Sequence, residues 1–312
     1  MKYSATAVAV MGALAIQATP IKRDAYTPTD IDILQYALTL EHLEKILPDT
    51  PPPFSTTLSN FYSCALNNMD AQAFADAGFP AWVRNRFEQI AAHEASHVAV
   101  LSDALGADAT KPCEYSFPYT DAKSFTALAQ VIENVGVSAY LGAAGFIMDK
   151  TYLTVAGSIL TTEARHQAWI ASAVNKQNPW SGPYDTPLGL SDVYSIAAAF
   201  ITSCPSSNPT LPVKAFPALT LSCDSAGSTA TLNYTGADSS DTLILYSGLT
   251  TLALPITDMM VTIPSSLQGI AYAVVSSTSN TTMVDDSNTI AGPAIIDLPF
   301  ASSASNPNFT GM

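Results

Sequence analysis

The sequence predicts an α+β multidomain protein in which a four-helix bundle is followed by a small β-sandwich domain. Two observations predict it. Four long segments before Cys204 repeat apolar residues at helical spacing. After Cys204, short β-branched runs recur at intervals of about ten residues. A change of composition marks the join: all four histidines and all seven glutamates precede Cys204, and a single basic residue, Lys214, follows it. The stretch from Cys204 through Pro205, Pro209 and Pro212 reads as a linker. We therefore expect a helical domain over 24–204 and a β-rich region with linker and tail over 205–312.

Each element has a local reason. Thr27-Pro28-Thr29-Asp30 reads as a helix start, with Thr27 as N-cap, Pro28 in the first turn and Asp30 closing an acidic capping box. This first helix should run to about Leu47 and stop at Pro48, ahead of Pro51-Pro52-Pro53. A shorter helix is expected over 58–75. The second long helix should span Pro80 to Gly106, which suits a C-terminal cap. The third is expected over 121–148, the fourth over 152–176, and a short last one over 190–201. Strands are expected over 218–223, 229–234, 242–246, 259–263 and 270–276. The β-rich region holds no histidine, no glutamate and no charge cluster, so no chemistry is expected there.

The first residues read as a targeting segment. Lys2 precedes an apolar run over 5–16, and small residues at Ala13, Ala15 and Ala18 offer a cleavage site, giving a signal peptide over 1–18. A spanning helix needs roughly 20 apolar residues, more than this run supplies. A short pro-segment over 19–23 then ends in the dibasic pair Lys22-Arg23. Removal of both would leave 9 of 12 basic and all 26 acidic residues, a net charge of −17 against −14 for the whole chain. Either value disfavours nucleic acid and anionic membrane surfaces as partners. With 48% hydrophobic and 12% charged residues, the 312-residue chain can bury two cores. Four cysteines suit an oxidising compartment, and of the three pairings we favour Cys64–Cys113 with Cys204–Cys223. Sequons at Asn233, Asn280 and Asn308 agree with secretion to the extracellular space or cell wall.

The chemistry lies on the helices. In the second long helix, Val83, Phe87, Ile90, Glu94, His97, Leu101 and Leu105 share one face. The fourth repeats the arrangement with Ala156, Ile159, Glu163, His166, Ile170 and Val174. In the third, Phe125, Ala129, Ile132, Gly136 and Tyr140 flank Glu133; in the first, Leu34, Ala37 and Leu38 lead to Glu41. Four buried carboxylates would each cost several kcal/mol and would repel one another. Protonation, salt bridges or metal ions could compensate them, and only Arg165 lies close in sequence to form a salt bridge. Two divalent cations would cancel four such charges, and two imidazoles would complete their coordination. One Glu from each of two helices, plus Glu-x-x-His from each of two others, is the ligand set of bundles that hold two iron or two manganese ions. The i, i+3 spacing puts both ligands on one helix face. Mixed oxygen and nitrogen donors suit iron, or alternatively manganese, better than thiophilic metals. The candidate metal ligands are therefore Glu41, Glu94, His97, Glu133, Glu163 and His166. The alternative is a helical domain with satisfied polar core residues.

The segments Ala37-Leu38-Thr39-Leu40-Glu41-His42-Leu43-Glu44, His93-Glu94-Ala95-Ser96-His97, Ile132-Glu133-Asn134 and Thr162-Glu163-Ala164-Arg165-His166 carry a resemblance. The region from Asp30 to Lys176 resembles the ferritin-like superfamily. More closely, it is similar to secreted ferritin-like proteins of fungal stress response and late sexual development and to plant desiccation-related proteins. The resemblance implies a ferritin-like four-helix bundle and a dinuclear metal site, with no settled reaction. Di-iron oxidases keep a tyrosine near their metals as a one-electron relay. Tyr140, two turns beyond Glu133, is the candidate for that role, with a plain core aromatic as the alternative.

His42 and His93 neighbour candidate ligands and read as surface or helix-contact residues, with an outer-ligand role as the alternative. Glu44, one turn after Glu41, could act as an outer or alternative ligand. Gly136, Gly142 and Gly145 weaken their helix by about 1 kcal/mol each relative to alanine, which suggests close packing of another helix. Two functions compete. One is a dinuclear protein reacting with O2, H2O2 or a small-molecule substrate. The other is a non-enzymatic secreted scaffold with a vestigial site, using its β-region for cell-wall or partner contact. A closed iron-storage cage is disfavoured, because the appended β-region would crowd the shell.

Overall fold

The structure is a computed structural model, and it describes residues 27–44 and 60–304. The signal and pro-segments, the Leu47–Pro48 helix end, the start at Leu58 and the Asn308 sequon lie outside the described residues.

Four long helices make the bundle: α1 (Asp30–Glu44), α4 (Trp82–Leu105), α5 (Ala122–Ala143) and α6 (Lys150–Trp169). Helix α1 is buried on nearly every side, from Ile33 to Glu44, so it runs through the bundle rather than along its surface. It packs chiefly on α4, while α5 packs on α6. The expected capping box shifts by two residues. Thr29 Oγ1 accepts from the Asp32 amide at 3.2 Å and Asp32 Oδ2 accepts from the Thr29 amide at 2.8 Å. Asp30 is instead spent on the backbone amides of Met148 and Asp149, at 2.7 and 2.9 Å. Asp121 forms a reciprocal box with Ser124 at the start of α5, and Asp149 caps α6 two residues earlier than expected. The final turn of that helix, Ile170–Val174, widens to π geometry.

The short helix expected over 58–75 is two helices, α2 (Phe61–Asn68) and α3 (Ala71–Asp76). Asp70 accepts from the Ala73 amide, so it starts a new helix instead of continuing the old one. The last helix, α7 (Leu190–Ala198), ends short of Ile201. There the chain enters β2 (Ile201–Ser203), which pairs antiparallel with β1 (Glu114–Tyr115). This pairing corrects the disulfide assignment. With Glu114 opposite Ser203, the adjoining Cys113 and Cys204 come to 4.2 Å between Cα atoms and form a disulfide. Cys64 and Cys223 carry free thiols.

Seven strands follow. A three-stranded sheet has the order β3 (Thr220–Ser222), β4 (Thr229–Asn233), β7 (Met260–Thr262). A four-stranded sheet has the order β6 (Thr250–Pro255), β5 (Thr242–Ser247), β8 (Gly269–Ser276), β9 (Thr289–Leu298). Both are antiparallel. Their shared core contains Ala230, Leu232, Val261, Leu243, Leu245, Ala273 and Val275.

Strand β8 is buried along its whole length because it has two dry faces. Ala271, Ala273 and Val275 face the opposing sheet, while Ile270 and Tyr272 pack with Ile33, Tyr36, Val135 and Ala139 of the helices. The Tyr272 hydroxyl donates to Asn134 Oδ1 at 2.7 Å and accepts from Ser138 Oγ at 3.1 Å. The sheet thus braces α5 beside Glu133. Gly142 admits no helix. A Cβ there would lie 1.8 Å from the Leu188 carbonyl oxygen, so this glycine lets the connection before α7 cross α5. Gly145 faces open space.

Candidate metal centre

The helical periodicity buries one face of each long helix, and that face carries the acidic residues. Glu94, Glu133 and Glu163 are at most 1% exposed, and Glu41, His97 and His166 are also buried. Helix α1 supplies Glu41, α4 Glu94 and His97, α5 Glu133, and α6 Glu163 and His166. All six predicted residues meet. They form two groups whose candidate donor atoms lie within 4.8 Å of one another: Glu41, Glu94, His97 and Glu163, then Glu94, Glu133, Glu163 and His166. Glu94 and Glu163 belong to both.

The contacts show how the sharing works. His97 Nδ1 lies 2.9 Å from Glu94 Oε2, 3.1 Å from Glu163 Oε1 and 3.5 Å from Glu41 Oε2. His166 Nδ1 lies 3.2 Å from Glu94 Oε1 and 3.1 Å from Glu133 Oε2. Glu94 therefore turns one oxygen to each imidazole. The two unshared carboxylates are each held by a phenol. Tyr140 donates to Glu41 Oε1 at 2.5 Å, and Tyr62 of α2 donates to Glu133 Oε1. These bonds hold one oxygen of each carboxylate outward. The other oxygen of each, Glu41 Oε2 and Glu133 Oε2, faces an imidazole.

Electrostatics measure the strain of this arrangement. Burial pushes Glu163 and Glu44 well above the ordinary carboxylate range, and neighbouring carboxylates push further. Burial also raises Glu41 to about 7, against the pull of His97. Glu94 resists its own burial because His166 and His97 hold it at about 2. Burial opposes charging the imidazoles, yet Glu41 and Glu94 hold His97, and Glu133 and Glu94 hold His166, at about 10. Arg165 is exposed, and among the described residues every ion pair to the cluster comes from these two histidines. Without a cation, only the two imidazoles offset the cluster, and Glu163 and Glu44 are pushed toward their protonated forms.

The donor set fits a metal pair. Glu41 Oε2, Glu94 Oε1 and both oxygens of Glu163 are buried without a hydrogen bond. Three of these oxygens have only an imidazole contact and Glu163 Oε2 has not even that, so the cluster is short of partners that a cation would supply. Carboxylate and imidazole donors of this number suit a dinuclear iron or manganese centre.

Comparison with known proteins agrees. The helical region matches a ferritin-like domain. The match covers residues 54–176, which include Glu94, His97, Glu133, Glu163 and His166, with Glu41 upstream of it. A relative, protein rds1 of Schizosaccharomyces pombe, is 26% identical over 162 residues, or 52% of this chain. The aligned part spans 40% of that relative's length. The helical ferritin-like domain and the antiparallel sheets behind it give the α+β architecture expected from the sequence.

Three further residues border the cluster. Tyr62 carried no sequence signal, since a tyrosine in a short apolar helix looks like core. His93 is more than a surface residue: its ring stacks on His166 at 5.2 Å between centroids, with Nδ1 2.9 Å from His166 Nε2. His42 is buried and meets the loop after α4, its Nε2 lying 2.9 Å from the Thr110 carbonyl. Glu44 is buried beside the centre, and Gly136 makes room for the neighbouring Glu163 carboxylate. A Cβ at 136 would lie 3.2 Å from Glu163 Oε2 and 3.7 Å from Glu44 Oε1.

Proposed function

We propose that this is a secreted dinuclear iron or manganese carboxylate protein whose centre reacts with O2 or peroxide, in stress or development. The single observation that carries the reading is the sharing of Glu94 and Glu163 between two His-containing groups of buried donors. Glu41 and His97 would complete one half, Glu133 and His166 the other. Two bound metal ions would supply the redox equivalents for reaction with an oxygen species. The chain's own residues do the rest. Tyr140 and Tyr62 orient the unshared carboxylates, His93 orients the His166 ring, and the surrounding apolar side chains exclude water. Tyr140 is the candidate redox-active residue. Burial, then Glu41, keeps its hydroxyl well above the ordinary phenol range, so it stays protonated, with Glu41 Oε1 already placed to receive the proton.

The leader pattern, with removal of 1–18 and then 19–23, supports an extracellular or cell-wall location. One disulfide is compatible with it, and no described helix is long and apolar enough to cross a membrane. Metal analysis of the protein secreted from a fungal host and purified without chelator tests the reading. About two iron or manganese atoms per chain are expected, as a dinuclear site requires. Glu94→Ala combined with His166→Ala should abolish stoichiometric binding while the far-ultraviolet circular dichroism stays helical. Unchanged metal content in that variant would refute the site.

A further inference from the structure

We infer that the apolar pocket between α1, α4, α5 and α6, which is partly open to solvent, is a docking site for dioxygen beside the centre. The inference rests on the proposed reading of that centre and chooses between its two oxidants. Leu34 and Ala37 of α1, Leu101 of α4, Ala139 of α5, and Val155 and Ala156 of α6 form its walls. The cavity ends on Tyr140, whose hydroxyl is bonded to Glu41. It is therefore one side chain away from a candidate ligand.

Size and polarity select the occupant. The space open to the centre of a water-sized sphere is about 30 Å³. One such sphere needs roughly 10–15 Å³, so this space admits a molecule of two or three heavy atoms. The surface it presents is almost wholly apolar, although Tyr36 and Tyr152 also line it, and the Tyr140 hydroxyl is already committed to Glu41. Hydrogen peroxide entering it would lose the bonds it makes in water, as would water itself. Dioxygen has none to lose. Xenon binds apolar cavities and serves as a probe of like size and polarity.

The test uses the full chain, metal-free and metal-loaded, crystallised under xenon pressure, with xenon-129 chemical shifts in solution as the second readout. One xenon site is expected in this cavity in both forms. Ala139→Leu and, independently, Ala156→Leu should remove it while keeping two metals per chain. In the loaded protein each should raise the KM for dioxygen several-fold more than that for peroxide. Ordered water in the cavity, xenon binding undiminished in both variants, or equal effects on the two oxidants overturns the inference. The two failures are separable. Two metals without xenon overturn the cavity alone. Xenon uptake without metal, or without any dioxygen consumption, overturns the reading of the centre and the dioxygen assignment with it.

Discussion

Around His97 stand Glu41, tied to Tyr140, and the shared pair Glu94 and Glu163; around His166 stand Glu133, tied to Tyr62, and the same pair. The donors of the two halves are alike, and their borders are not. The His97 half adjoins an apolar cavity through Tyr140. The His166 half leans on an exposed His93 and on the aromatic core, where Tyr62 packs edge-on against Phe61 and Phe125. Glu44 raises the pKa of Tyr62, after burial and Glu133, so it too sits toward this second half. A second apolar cavity, lined by Glu44 and Gly136, reaches that side. Equal donors with unequal surroundings separate what binds metal from what controls access to it.

The sharpest break of the comparison is to remove one unshared ligand at a time. His97→Ala should leave Glu133 and His166 with the shared pair, and His166→Ala should leave Glu41 and His97 with it. Each variant should keep about one metal per chain, where a dinuclear site holds two. Glu94→Ala should lower occupancy of both halves, because it turns an oxygen to each imidazole. Elemental mass spectrometry reads the difference. Loss of both metals from His97→Ala would mean that the halves do not stand alone.

A smaller effect separates the two phenols. Tyr62→Phe and Tyr140→Phe each leave a buried carboxylate oxygen without its donor, which costs about 1–3 kcal/mol of metal-free stability in urea unfolding. Stability should thus treat the halves alike. Dioxygen consumption should not, since only Tyr140 joins the cavity to the centre. Tyr140→Phe should slow it more than Tyr62→Phe, and equal slowing would remove Tyr140 from the relay.

The sequence made the donors legible because helical periodicity converts directly into burial: every residue on the Val83-to-Leu105 stripe is buried. Their borders were not legible. Tyr62 reaches Glu133 from 71 residues away, through a short helix whose placement depends on the bundle it packs against. The disulfide went astray for the same reason. Cys113 meets Cys204 only because β1 and β2, far apart in sequence, pair beside them. Strands β6 and β9 were not among the expected strands; β6 ends on Pro255 and β9 contains Gly292-Pro293, residues that weaken a strand pattern. Both strands lie at sheet edges, and in β9 the register shifts beside Pro293, where a proline is tolerated.

The last prediction concerns a half-buried carboxylate with no imidazole at all. Asp192, on α7 at the helix–sheet contact, is held at about 7, first by burial and then by Asp286, with the Gly189 amide pulling the other way. Its pKa is raised above the unfolded value, so the folded state binds the extra proton. Stability contributed by the protonated form is present below the unfolded pKa near 4 and falls as pH rises toward 7, levelling off above it. Asp192→Asn should abolish that slope and leave the variant more stable than the wild-type chain at pH 7.5 by about 2 kcal/mol. Urea unfolding at pH 4 and 7.5 checks both points. The contrast with Glu94 is the lesson of the pair. Burial acts on both, yet two imidazoles carry Glu94 down to about 2 while Asp192 has none. An Asn variant no more stable at pH 7.5 than the wild-type chain would show that Asp192 finds a partner of its own.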